Sequence, residues 1–83
     1  MLSIHSDYDD DEIEIIDSFF ENDLNVAETA REMSMNRTTL IYKIDKLKKK
    51  TGLDIRKFED ALTLKIAMMV DKYLKYKSSE YRN

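Results

Sequence analysis

Eighty-three residues with a net charge of −3, no cysteine, no proline and a single glycine bound what this chain can be. A domain of that size buries too little apolar surface to carry an elaborate active site beside its core, and without cysteine neither a disulfide framework nor a thiolate zinc site is available. The acidic start, Met1 to Asp11, lacks the basic and apolar regions of an export signal, and no apolar run approaches the roughly 18 residues of a spanning helix, so a soluble cytoplasmic protein with no membrane partner is expected.

The abundance of Glu, Lys, Leu, Ile and Met, with strand and turn punctuation nearly absent, predicts an all-α fold. Charge is divided unevenly along the chain. Residues 1–32 hold eleven acidic side chains against Arg31 alone, a balance of −10, while residues 33–83 hold thirteen basic against six acidic, a balance of +7. A basic half in an acidic protein points to a polyanion partner, with the acidic half as a tail or screen.

Residues 1–10 read as a polar, acidic flexible tail. Its run D-Y-D-D-D-E lacks the central glycine and distal glutamate of a calcium loop, and its single histidine, His5, has no partner for metal or proton chemistry. Asp10 or Asp11 is the expected cap of a first amphipathic helix, about Asp11 to Asn22, built on Ile13, Ile16 and Phe20. Asn25, with Glu28 three residues on, approaches a capping box and opens a short second helix through about Met33. Asn36 caps a third helix, to about Lys50, whose apolar Leu40, Ile44 and Leu47 recur at i, i+4 and i+7. Gly52 stands where a left-handed residue ends that helix, after lysines that complement its negative end. A fourth, longer helix runs from about Lys57 to Lys77, with 78–83 as a frayed end. Its apolar residues cover more than one stripe, which predicts that part of it meets a second subunit.

Only Ser34 and Met35 lie between the second and third helices, and Ala30 supplies the small side chain that a close helix crossing requires. With Leu40, Ile44 and Leu47 turned inward, the opposite face of the third helix presents Arg37, Thr38, Ile41, Tyr42, Asp45, Lys48 and Lys49. Were that helix to enter a DNA major groove, its first turn would reach base edges. Arg37 suits guanine O6 and N7, and Thr38 or Thr39 suits a base, a phosphate or a thymine methyl. Asn36 is occupied as a cap but can touch phosphate, and Tyr42, Lys43 and Lys46 suit the phosphates flanking the groove. The plainer readings are that Lys48, Lys49 and Lys50 only complement a helix end, and that the methionines only fill the core.

The segment N-V-A-E-T-A-R-E-M-S-M-N-R-T-T-L-I-Y-K-I-D-K-L, with K-K-K-T-G-L-D-I and E-D-A-L-T-L-K-I-A after it, resembles the C-terminal helix-turn-helix domain of the PucR and sugar-diacid-regulator (CdaR) transcription factors over roughly Ile13 to Val70. Its first half is similar also to the Fis-type helix-turn-helix. The resemblance implies a dimerising, sequence-specific DNA-binding domain whose third helix is the recognition helix, with Asn36, Arg37, Thr39, Tyr42 and Lys43 at DNA-facing positions. Ile41 and Asp45 stand where such helices commonly carry arginine, Ser34 where the turn commonly has glycine, and Phe58 where a proline is common. Domains of this family usually end much longer regulators, so a chain that starts at Met1 is read as an excised piece or a small stand-alone regulator.

The expected function is therefore a DNA-binding transcriptional regulator acting on double-stranded DNA as a homodimer. The alternative is a helical protein-interaction module that binds another regulator or a polymerase, its acidic N-terminus screening or mimicking DNA. One histidine, no cysteine, no phosphate-cradling glycine loop and no paired-carboxylate pocket leave no basis for an enzyme, and no cofactor is expected.

Overall fold

The computed structural model describes residues 8–80, with side chains through residue 77. The first seven residues, His5 among them, and the last three lie outside the described residues. The chain forms four helices in order, α1 (Asp10–Glu21), α2 (Val26–Glu32), α3 (Arg37–Thr51) and α4 (Phe58–Glu80), with no strand among the described residues. No helix among them is long and apolar enough to cross a membrane.

Asp9 caps α1, not Asp10 or Asp11. Its carboxylate accepts from the Glu12 backbone N–H at 2.8 Å and Glu12 reaches back to the Asp9 N–H at 3.0 Å, so the reciprocal capping box lies here. At α2 only the forward half forms: Asn25 accepts from Glu28 N–H at 2.9 Å, while the Glu28 carboxylate turns to Arg31 at 2.7 Å. Asn36 caps α3 by accepting from Thr39 N–H at 2.8 Å, and Gly52 ends it at φ 80°, donating to the Lys48 carbonyl at 2.7 Å. That left-handed conformation is open to glycine without a Cβ clash.

One core holds the four helices. Ile15, Ile16 and Phe19 from α1, Ala30 from α2, Leu40, Ile44 and Leu47 from α3, and Ala61, Leu64, Ala67 and Met68 from α4 are all buried in it, together with Ile55. Tyr8 joins them at 4% exposure, just ahead of α1, with the Lys50 ammonium 5.3 Å from its ring centre. Burial raises the Tyr8 hydroxyl above its ordinary pKa, and the nearby Asp71 and Glu12 carboxylates add to that.

α1 is the central element, packed against both α2 and α4, and α3 in turn packs on α2. Ser18 of α1 donates to Glu32 of α2 at 2.9 Å, and Asn22 donates to the same carboxylate, so two hydrogen bonds tie the end of α1 to α2 and lower the Glu32 pKa. On the other side Lys65 of α4 pairs with Asp17 at 2.9 Å and lies over the Phe20 ring.

A basic helix face and its acidic neighbour

The α2–α3 junction is built by short-range chemistry. Thr29 is buried and donates its hydroxyl to the Asn25 carbonyl at 2.7 Å, so a polar side chain sits inside without an unmet hydrogen bond. Ala30 beside it is 4% exposed, as a close approach of α3 demands. In the turn, Ser34 takes φ 55°, donating its N–H to the Arg31 carbonyl, and Met35 donates to the Ala30 carbonyl. A residue with a Cβ therefore occupies a conformation that suits glycine, and Leu24 and Asp23 do the same in the α1–α2 turn, at φ 61° and 54°.

With Leu40, Ile44 and Leu47 buried, α3 shows solvent the residues that the helical spacing places opposite them. Arg37, Thr38, Tyr42, Asp45, Lys46, Lys48 and Lys49 are exposed, Tyr42 to 64%. Ile41, Lys43 and Thr39 are half-buried, so Thr39 lies at the margin of this face. Tyr42, Asp45, Lys46, Lys48, Lys49 and Gly52 together line an open depression of about 570 Å³. Asn36 is exposed, but its side-chain oxygen is engaged with the Thr39 N–H.

Three interactions of α3 were not legible in the spacing. The Lys43 ammonium is bound to Asp11, and that hydrogen bond raises the lysine pKa. Lys50 pairs with Glu12 at 2.8 Å. The acidic start of α1 thus lies against the basic side of α3, and Asp9, Asp11, Glu12, Tyr42, Lys43 and Lys46 share one small groove with Ile15. At the other end Asp45 accepts from Arg56 at 3.2 Å, and Arg56 is gripped by Asp54 at 2.8 Å, which holds the Asp54 carboxyl below the ordinary range. The sequence signal that existed was complementary charge: acids clustered in 9–14 and bases in 43–50.

Two capped helices joined through a tight turn, the second carrying a basic outer face, define a helix-turn-helix domain. The chain belongs to the PucR C-terminal helix-turn-helix domain family, whose model matches residues 13–70. Among curated proteins it is similar to the uncharacterized protein YxkF of Bacillus subtilis (strain 168), 41% identical over 44 residues, which is 53% of this chain and 15% of that protein. It is also similar to the carbohydrate diacid regulator of Escherichia coli (strain K12), 30% identical over 54 residues, 65% of this chain and 14% of that protein. The aligned stretch is thus a small part of these relatives. No solved structure matches the chain at significant similarity.

Proposed function

We propose that this chain is a sequence-specific DNA-binding domain of a transcriptional regulator, that α3 enters the major groove, and that the chain acts in the cytoplasm as a homodimer. The observation that carries the reading is the outer face of α3, where Arg37, Thr38, Tyr42, Lys46, Lys48 and Lys49 are exposed together while Leu40, Ile44 and Leu47 anchor the opposite face. Family membership and the name of the Escherichia coli relative, a regulator, support it. Arg37 at the first helical position reads guanine, Thr38 and the marginal Thr39 lie beside it, and Asn36 presents the α3 N-terminus to a phosphate. Tyr42 and Lys46 flank them as phosphate contacts, with Lys43 joining when Asp11 releases it.

The dimer reading rests on α4. Leu62, Ile66, Met69, Tyr73 and Tyr76 recur at steps of four and three and are 43%, 53%, 56%, 56% and 63% exposed. Such a seam, unpaired in one chain, is the pattern by which two helices pack together. A twofold axis would set the two α3 helices about one DNA turn apart, roughly 34 Å, on a pseudo-palindromic site.

Selection of bound duplexes from random sequence, with the mass of the free protein, tests both parts. Arg37→Ala should cost about 1–3 kcal/mol and relax one base pair, and Lys46→Ala should weaken all sequences alike and flatten the salt slope by about one. If neither change alters binding to any duplex, α3 is not a reading helix. Ile66→Glu should yield a monomer that recovers only half-sites. A wild type that is monomeric in solution and co-purifies with another protein would assign the α4 seam to a protein partner instead.

A further inference from the structure

One side chain on the outer face of α3 is of the wrong sign for holding a polyanion. Asp45 follows Arg37 and Ile41 at intervals of four, its side chain is 55% exposed, and it lines the same depression as Lys46 and Lys49. A bare carboxylate there would repel every DNA sequence equally. Here it is not bare: Arg56, from the turn between α3 and α4, places Nη2 3.2 Å from the Asp45 carboxylate.

Arg56 is itself fixed. Asp54, 8% exposed, accepts from its Nε at 2.8 Å, its Nη2 at 3.2 Å and its backbone N–H at 3.0 Å. A mostly buried carboxylate thus sets the guanidinium, and the guanidinium sets the exposed carboxylate. Such a chain of contacts removes the rotamer freedom that an isolated surface aspartate keeps, and it offsets the charge that would otherwise meet the phosphates.

On the reading that α3 lies in a major groove, we propose that Asp45 determines specificity by accepting a hydrogen bond from a base amino group, cytosine N4 foremost, and that Arg56 is the residue that positions it. An ionised carboxylate only accepts. In the major groove guanine offers acceptors and thymine an acceptor and a methyl, so both are rejected. Adenine N6 is flanked by acceptors on both sides, its own N7 and the paired thymine O4, which face the second carboxylate oxygen unfavourably, whereas cytosine N4 has an acceptor, the paired guanine O6, on one side only. Asp45 lies eight residues after Arg37, about 12 Å along the helix. The cytosine should therefore fall about three base pairs from the guanine that Arg37 reads.

The test is selection from random duplexes with the full chain, its fold checked by circular dichroism, for the wild type, Asp45→Ala, Asp45→Asn and Arg56→Gln. The wild-type motif should contain a cytosine about three pairs from the Arg37 position. Asp45→Ala should lose that preference by about fivefold to tenfold, the low end of what a base contact is worth, while binding unrelated duplexes more tightly. Asp45→Asn should shift the position toward adenine, whose N6 and N7 an amide matches. Arg56→Gln should blur the same position and leave the rest of the motif intact. If Asp45→Ala returns the wild-type motif, the carboxylate is not read, although α3 still reads DNA. If Arg56→Gln keeps the cytosine at full strength, Arg56 does not position Asp45. A wild type that enriches no sequence overturns this assignment together with the DNA reading beneath it.

Discussion

On the proposed reading Asp11 competes with DNA for Lys43 and keeps it from the phosphate, and the strength of that competition can be read from the salt dependence of binding. In the free protein the Lys43 ammonium is bound to Asp11 across 32 residues of sequence, and the hydrogen bond raises its pKa, so the charge is present but engaged. Each phosphate neutralised by a lysine steepens the plot of log K against log salt by about 0.9. Asp11→Asn leaves Lys43 free to make one more such contact, so the slope should steepen by about 0.9. Referred to 1 M salt, that corresponds to roughly eightfold tighter binding at 0.1 M and roughly fifteenfold at 0.05 M. The substitution spares the fold: the Asp9–Glu12 capping box is untouched, and Asp10 and Glu12 still serve the helix dipole. The assay is an anisotropy titration of a selected duplex between roughly 0.05 and 0.3 M salt. Asp23→Asn, an exposed acid in the α1–α2 turn, is the control for net charge alone. Parallel lines for Asp11→Asn and wild type would refute the competition, and an equal gain with Asp23→Asn would reduce it to bulk charge.

Two more expectations concern stability. Ser34 sits at φ 55°, where a Cβ costs about 1–2 kcal/mol, and glycine gives back part of that as chain entropy. Ser34→Gly should therefore stabilise the domain by about 0.5–1 kcal/mol and raise the thermal midpoint by about 2–8 °C, whereas a lower midpoint would show that the turn carries no strain. Asp54 titrates below its ordinary value because of Arg56, so the unfolded chain binds more protons in acid than the folded one. The stability gained from the pair is complete above about pH 4 and is lost as pH falls through the lowered folded-state pKa. The gap in urea midpoint between wild type and Arg56→Gln should accordingly be full near pH 7 and shrink below about pH 4. A gap that does not change with pH would mean Arg56 acts through packing.

What could be read from the sequence was what local chemistry decides. Asn25, Asn36 and Gly52 mark helix ends because each acts on backbone groups within four residues, and Leu40, Ile44 and Leu47 show their common face by spacing alone. The start of α1 was harder: four acids in a row offered several caps, and only the reciprocal bond to Glu12 selects Asp9. Tyr8 could not be placed, since one aromatic residue in an acidic run has no period to report its burial. The ion pairs of Lys43, Lys50 and Lys65 join residues 32, 38 and 48 apart, and only the packing of α1 against its neighbours brings them together. The Asp45–Arg56 contact depends on the path of the chain after Gly52, which no helical pattern encodes. Most of the outer face of α3, all but the half-buried Ile41, was therefore visible beforehand, and its electrostatic surroundings were not.

Among the described side chains of α4 beyond Asp71, none is buried, although the helix continues to Glu80. A stretch as short as 72–80 would not hold a helix in water by itself, since isolated helices shorter than about 12–15 residues are marginal. It stays wound because it continues a segment that Ala61, Leu64, Ala67 and Met68 pin to the core. The overhang is thus an element whose own order gauges its surroundings: on the proposed dimer, dilution should fray it and the covering of Tyr73 and Tyr76 should tighten it, one amide at a time, from Asp71 outward.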